Sequence, residues 1–372
     1  MRKPFAIYAI TTHGIGIGER LRAALPGADL FVSAKLFAKA PEGALPLPLP
    51  MGPHLLQSFP AYDCHVFVIS VGAVVRMIAP LLADKKSDPA VVCVDDASRF
   101  AICVLSGHVG RGNVFTDRIA AALGAQSVVT TASDVRGTFT VDILGRDLGW
   151  SLDDVDRNVT RGCAAVVNEA DVLFVQEAGE PSFWPLDKPL PPGVRYRTTL
   201  DGVDPRAHEI VLLATDRLLD ETHAALLENA IVYRPKTLVL GLGCDRNTPF
   251  ALIERGVELL LAQSRLSAKC VKTVATIDKK GDEPAILELC ANRGWALRTF
   301  TAEELDAVET PTPSEVVKKH VGTRGVSEPA AMLAAGVRQL VVEKQIYTEP
   351  GAGRSMTLAV ARAQHPQRPE AR

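Results

Sequence analysis

The stretch Leu105-Ser106-Gly107-His108-Val109-Gly110-Arg111-Gly112-Asn113 combines one imidazole with three glycines. It joins an apolar run of strand length, Phe100 to Leu105, to a helical apolar face made by Ile119, Ala120, Ala122 and Leu123. His108 is the side chain there whose ordinary pKa lets it take or give a proton near neutrality. Glycine at 107, 110 and 112 permits positive φ and close approach of a ligand, and free amides at a helix N-terminus favour an anion. The loop therefore reads as an oxyanion or carboxylate cradle beside a proton-transfer group. Ser106, Gly107, Gly110, Arg111 and Asn113 are its candidate substrate contacts, with Asn113 also the candidate helix cap. A tight corner with a surface histidine is the plain alternative, and spacing leaves both open.

Other strand ends carry polar groups. Gly72 stands at a helix start, and Arg76 follows in an otherwise apolar segment, where a charge is costly unless it is paired or faces a cleft. A structural ion pair and a carboxylate contact fit Arg76 equally. Thr130 and Thr131 close a strand over 127–129. Strand ends in a parallel α/β sheet share one edge, which predicts that Gly72, the 106–113 loop and Thr130-Thr131 converge on one crevice. Thr237 to Cys244 reads as a buried strand entering a turn at Gly243 and Cys244, with Thr248 as N-cap, Pro249 as first helical residue and a helix to about Gln263. A helix N-terminus favours a thiolate at Cys244, although no base lies near in sequence and a small residue at a turn is the simpler reading. Asp278, Lys279, Lys280 and Glu283 form a charged loop able to meet carboxylates, or a solvated turn with a cap. Glu328 opens a helix over 329–335 as cap or substrate contact, and Lys344 follows a strand over 340–342.

At 372 residues the chain has room for two or three domains with substantial cores. A net charge of -2 gives no overall attraction to nucleic acid, and 5% aromatic content gives no platform for stacked bases, so any anion site must be built locally. The apolar run after Lys3 is too short to span a membrane and shows no signal-cleavage pattern, which predicts a cytoplasmic protein without membrane partners. Seven scattered cysteines fit reduced thiols better than a disulfide framework or zinc module, and no metal site is expected.

Periodicity gives three consecutive α/β segments, expected at 1–135, 136–234 and 235–372, the first and last on mainly parallel sheets flanked by helices. Phe5 to Ile10 is the first strand. Thr12 to Gly18 reads as a tight turn into a helix from about Glu19, without the spacing or downstream acid of a dinucleotide fingerprint. Pro41 to Pro60 reads as a proline-rich connection or insertion, and strands follow at 65–70 and 90–94. In the middle segment, strands are expected at 172–175 and 210–213, and Asp153, Asp154 and Asp156 suit a solvated helix start. That segment is expected to connect the others or cover substrate, with the substrate in a cleft between the first and last.

Taken together, Gly72 to Arg76, Lys85 to Pro89, Ser106-Gly107-His108 to Asn113, Thr130-Thr131, Gly241 to Cys244, Thr276 to Glu283 and Gly325 to Leu333 resemble the cobalt-precorrin-5A hydrolase family of anaerobic cobalamin biosynthesis. The likeness runs through nearly the whole chain in the family's order. One departure is Arg111-Gly112, where the family commonly has glycine then alanine before the asparagine. The resemblance implies opening of a ring δ-lactone on a ring-contracted cobalt corrinoid and release of the two-carbon bridge as acetaldehyde. It also implies no cofactor of the protein's own, cobalt arriving inside the substrate, and handover of corrinoid from neighbouring pathway enzymes. A macrocycle with many carboxylates needs local cations, for which Arg76, Arg111, Lys279, Lys280 and Lys344 are candidates. His108 is then the candidate catalytic base, with loop amides holding the oxyanion. A non-catalytic corrinoid-binding protein and a nucleotide-dependent α/β enzyme are the alternatives; the missing P-loop weighs against the second.

Overall fold

The computed structural model describes residues 2–153, 157–351 and 353–365, apart from the Val316 side chain, so Asp154 and Asp156 lie outside the described residues. The chain forms three sheets flanked by helices and gathers into two compact units, Met1–Ile143 and Leu144–Arg372. Among the described residues, no helix is long and apolar enough to cross a membrane.

The N-terminal unit contains β1 (Lys3–Ala9), β2 (Ala28–Ser33), β3 (Leu45–Leu47), β4 (Tyr62–Val68), β5 (Ala90–Val94), β6 (Phe100–Leu105) and β7 (Gln126–Val128), in the order β3-β2-β1-β4-β5-β6-β7. Its helices are α1 (Thr12–Ala24), α2 (Gly52–Ser58), α3 (Val71–Ile78), α4 (Gly112–Leu123) and α5 (Ala132–Arg136). The first five strands are parallel. They read as unbroken apolar runs because helices cover both faces. Leu21, Ile119 and Leu123 pack on Ile7, Val66 and Val92 on one face, and Leu55, Val74 and Ile78 pack on Tyr8, Phe67 and Val91 on the other. The chain winds one way from β1 to β3 and the other way from β4 to β5, so the switch point lies between β1 and β4.

Three expectations are corrected here. The helix after β1 begins at Thr12, not near Glu19, because Thr11 caps it with its hydroxyl oxygen accepting from the Gly14 amide at 2.9 Å. The Pro41–Pro60 connection contains edge strand β3 and helix α2. Most consequentially, β6 runs antiparallel to β5, with Val91 opposite Leu105 and Val94 opposite Ala101, and β7 follows β6. Residues 95–99 are too few for the crossover that parallel pairing demands. The C-terminal ends of β6 and β7 therefore lie at the sheet edge opposite those of β1 and β4. Gly72 is at one edge and the 106–113 loop at the other, where Thr130-Thr131 joins it.

The second unit contains a sheet of β8 (Ser151–Leu152), β9 (Val172–Gln176), β10 (Val194–Arg197), β11 (Ile210–Ala214) and β12 (Ala230–Arg234), ordered β10-β9-β11-β12-β8, with only β8 antiparallel to its neighbour. Its other sheet contains β13 (Leu238–Cys244), β14 (Val271–Ile277), β15 (Ala296–Phe300), β16 (Val342–Thr348) and β17 (Ser355–Arg362), ordered β15-β14-β13-β17-β16. Helices α6 (Val159–Val167), α7 (Ala224–Glu228), α8 (Phe250–Gln263), α9 (Pro284–Arg293), α10 (Ala302–Asp306), α11 (Glu315–Val321) and α12 (Ser327–Ala335) complete it.

Helix α12 lies directly on β13, and Gly241 is the reason. A Cβ there would sit 1.8 Å from the Ser327 carbonyl oxygen, so the backbones would have to separate. Gly241→Ala is expected to destabilise the second unit by about 1–3 kcal/mol, seen as a lower urea midpoint. An unchanged midpoint would contradict this packing account.

Ion pairs clasp the two sheets of this unit. Arg234, whose side chain is 2% exposed, meets Asp153 Oδ2 at 2.6 Å, and Lys269 Nζ meets Asp153 Oδ1 at 2.7 Å. Asp153 is thus an ion-pair hub, and among the described residues the next helix, α6, begins at Val159. The Arg362 guanidinium donates from Nε to Asp216 Oδ2 at 2.6 Å and from Nη2 to Oδ1 at 2.8 Å, and the Thr237 hydroxyl donates to Oδ2 at 2.9 Å.

Candidate active site

The 106–113 loop is built differently from its sequence expectation. The positive φ angles fall on Ser106 (55°) and Arg111 (63°), and the glycines are needed for close packing. A Cβ on Gly107 would lie 2.6 Å from Asn113 Oδ1, and one on Gly112 would lie 2.8 Å from the Leu105 carbonyl oxygen. The amides of Arg111, Gly112 and Asn113 donate to the carbonyls of His108, Ser106 and Gly107 at 2.9, 2.9 and 3.0 Å. These three amides are spent within the loop, so they do not form the expected oxyanion cradle. The helix cap is Arg111, the residue immediately before α4, and not Asn113, which lies in the first turn of the helix.

Asn113 points inward instead. Its Nδ2 donates to Thr131 Oγ1 and to Asp134 Oδ2, both at 2.8 Å, while Thr131 Oγ1 donates to Asp134 Oδ2 at 2.6 Å. The same carboxylate oxygen lies 2.9 Å from His108 Nε2, which is also 3.1 Å from Ser133 Oγ. On the other side, His108 Nδ1 stands 3.6 Å from Asp142 Oδ1, an ion-pair distance. The imidazole is held between two carboxylates, with 22% of its side chain exposed. Asp142 first, and Asp134 with it, hold its pKa above the ordinary 6.5, against partial burial that pulls it down.

The raised pKa has a stability consequence. This pairing contributes fully below the unfolded histidine pKa near 6.5 and is lost as pH rises through the higher folded value. Around the ring, Ser106 Oγ, Asn113 Oδ1, Thr138 Oγ1 and Asp142 Oδ1 are buried without a hydrogen-bond partner. Native proteins rarely leave such atoms unsatisfied, and four on adjoining segments mark this edge. Asp134 and Asp142 escape a search for isolated motifs. Thr131-x-x-Asp134 has capping-box spacing, a signal that points to Asp134; Asp142 has no such local signal.

The other candidates are placed elsewhere or already engaged. Thr130 is exposed beside Thr131. Arg76 is exposed, donates to the Gly72 carbonyl at 3.1 Å and has no ion pair among the described residues. On that opposite edge a cavity of about 490 Å³ opens at the β1/β4 switch point, walled by Ile10, Val68, Ile69 and Ile102 with Asp95 and Asp96. Thr11 Oγ1 donates to Asp96 at 2.7 Å and His13 Nδ1 lies 3.1 Å from it. These partners hold the Asp96 pKa below its ordinary value, so the rim is anionic and ill suited to a polycarboxylate.

In the second unit, burial pushes the Cys244 thiol above its ordinary pKa, against the thiolate that the helix terminus alone would favour. Gly243 gives room to Thr357, whose Oγ1 would lie 2.8 Å from an added Cβ. Glu283 is fully buried and accepts from the Asn247 amide at 2.7 Å and Lys280 Nζ at 3.1 Å. Asp278 accepts from the Lys279 amide at 2.6 Å, and Lys279 Nζ donates to the Val321 carbonyl at 3.1 Å. Glu328 accepts from Thr312 N, Thr312 Oγ1 and Lys344 N at 3.1, 2.8 and 3.0 Å, while Lys344 Nζ donates to the Thr312 carbonyl at 2.6 Å.

Three helix-flanked sheets and an imidazole clamped by two carboxylates make this a multi-sheet α/β protein equipped for proton transfer. Residues 53–134, 139–235 and 238–361 match the family models described as Cobalamin synthesis G N-terminal, Cobalamin biosynthesis central region and Cobalamin synthesis G C-terminus. The chain is 41% identical over 347 residues to the cobalt-precorrin-5A hydrolase of Priestia megaterium, covering 92% of each. It is 31% identical over 332 residues to the cobalt-precorrin-5A hydrolase of Salmonella typhimurium, covering 88% of this chain and 91% of the relative. The chain belongs to the cobalt-precorrin-5A hydrolase family of cobalamin-biosynthesis enzymes.

Proposed function

We propose that the protein hydrolyses cobalt-precorrin-5A, opening the ring δ-lactone and releasing the two-carbon bridge as acetaldehyde to leave cobalt-precorrin-5B. Family membership supports the substrate class. The observation that carries the chemistry is His108, poised between Asp134 and Asp142 among buried polar atoms without partners. Water adds to the lactone carbonyl as His108 takes its proton, and the ring carbon–oxygen bond breaks. A carboxylate is left on the macrocycle and a hydroxyl on the bridge carbon. When that hydroxyl loses its proton, the carbon–carbon bond to the macrocycle breaks and acetaldehyde leaves. The electron pair passes into the conjugated ring, which takes up a proton. One water is consumed, no external oxidant or reductant is needed, and cobalt stays within the substrate.

Both carboxylates stabilise the imidazolium that forms when His108 takes the proton, and a pKa raised from 6.5 toward the working pH suits a general base. With three loop amides already spent, the unpartnered Ser106 and Thr138 hydroxyls are the side-chain donors this edge offers to the oxyanion. Arg111, exposed beside the loop, is a contact for a substrate carboxylate. All seven cysteines are free thiols, which supports a cytoplasmic enzyme; its corrinoid is taken, in this proposal, by handover from pathway neighbours.

The test is anaerobic incubation of the purified protein with cobalt-precorrin-5A, following acetaldehyde and corrinoid mass together. Bound but unchanged corrinoid would leave a binding or handover protein in place of an enzyme. Activity should fall on the acid side as His108 becomes protonated, with a midpoint above 6.5. Asp142→Asn should move that limb to lower pH by removing the main cause of the raised pKa. A limb that stays in place would take Asp142 out of the mechanism.

A further inference from the structure

Asp134 and Asp142 face opposite nitrogens of one imidazole, and they do so unequally. His108 Nε2 stands 2.9 Å from Asp134 Oδ2, a hydrogen-bond distance, whereas Nδ1 stands 3.6 Å from Asp142 Oδ1, beyond one. An ionised carboxylate can only accept. The Nε2 contact is therefore an N–H donation, and a neutral ring that keeps it carries its single ring proton on Nε2. Ser133 Oγ, 3.1 Å from the same nitrogen, can accept a share of that N–H. The lone pair of the neutral ring then lies on Nδ1, on the Asp142 side.

Asp134 is itself aimed, by residues of its own unit. Its Oδ2 accepts from Asn113 Nδ2 at 2.8 Å and from Thr131 Oγ1 at 2.6 Å, and Asn113 Nδ2 also donates to Thr131 Oγ1 at 2.8 Å. Both amide hydrogens of Asn113 are thus spent inside the protein. Gly107 lets the loop close on this group, since a Cβ there would lie 2.6 Å from Asn113 Oδ1. We propose that Asp134, aimed by Asn113 and Thr131, is the positioning residue that fixes the ring proton on His108 Nε2 and so makes Nδ1 the atom that takes the proton from water. The proposal rests on the hydrolytic function proposed above. The water O–H bond breaks toward Nδ1 as the water oxygen bonds to the lactone carbonyl carbon. The imidazolium then gives that proton to the oxygen released when the ring carbon–oxygen bond breaks, so Nδ1 ends the step unprotonated. The two carboxylates have different work. Asp134 orients the ring in both protonation states, and Asp142 meets a neighbouring positive charge only once Nδ1 holds the proton. Asn113 and Thr131, which the sequence offers as substrate contacts, act through Asp134.

The test reads the tautomer directly, from the imidazole ¹⁵N shifts of His108 in the full chain, on the alkaline side of its titration. The wild type should show a protonated Nε2 and an unprotonated Nδ1. Asp134→Ala removes the acceptor at Nε2 and leaves Asp142 at Nδ1, so the proton should move to Nδ1 and kcat should fall about 10²–10⁴-fold with KM nearly unchanged. Asp134→Asn is the conservative control. Its carbonyl oxygen can take all three donors while its amide nitrogen turns to water, on a side chain 42% exposed in the wild type. It should keep the wild-type tautomer and recover about tenfold or more of the alanine loss. Asn113→Ala should lower kcat and spare KM, whereas loss of a substrate contact would raise KM. A wild-type ring protonated on Nδ1, or an Asp134→Ala protein with the wild-type tautomer and turnover, would overturn the assignment. Because the tautomer is read without substrate, the two failures separate. An Nδ1–H ring in a protein that releases acetaldehyde would overturn the choice of base atom and leave the hydrolase standing; an Nε2–H ring in a protein that releases none would overturn the hydrolase, and with it the role of Nδ1.

Discussion

His108→Ala is expected to cut acetaldehyde release by about 10²–10⁴-fold, the range that a positioned acid–base group supplies. The loss should fall on kcat with KM nearly unchanged, because the ring acts on water and not on binding of the macrocycle. The fold should tolerate the change. Asp134 keeps donors from Thr131 and Asn113, and its side chain is 42% exposed, so removal of the imidazole does not strand it. His108→Gln, which can hydrogen-bond but cannot carry the proton, should be about as inactive as the alanine variant. Near-normal turnover in a folded His108→Ala protein would remove His108 from the chemistry.

Arg362→Ala is expected to cost the second unit about 3–5 kcal/mol, the usual result of leaving one partner of a buried ion pair alone. The Asp216 side chain is 3% exposed, and without Arg362 the Thr237 hydroxyl is the one side-chain donor left to it among the described residues. Arg362 itself is 38% exposed, so Asp216→Ala should cost less, since the guanidinium left behind can turn to water. The double variant Asp216→Leu/Arg362→Leu should recover much of the loss. Urea denaturation of the four proteins reads the comparison, and equal midpoints for wild type and Arg362→Ala would show that the clasp contributes nothing.

Much of the scaffold is local and therefore legible in the chain. Strands β5 and β6 are apolar runs bounded by turn residues, and their limits in the structure are those the sequence predicts. The start of α1 is missed because glycines that suggest a turn sit inside a helix, where Gly18 admits Leu30. The direction of β6 is missed for another reason: a buried strand looks the same in sequence whichever way it runs, and only the short 95–99 connection carries the signal.

By itself, the sequence determined the family, the α/β class, the strand-to-helix setting of His108 and the presence of Asn113 and Thr131 near it, because these depend on neighbours in the chain and on ordered motifs. Tertiary structure alone decided that Asp134 and Asp142 clamp the ring, that Gly72 lies at the far edge of the sheet, and that Glu283, Glu328 and Lys344 serve loops of their own unit. A charged side chain is read as ligand, latch or solvated group only once its partner is known. For Lys344 that partner is Thr312, and for Asp142 it is His108, each brought close by folding and not by sequence spacing.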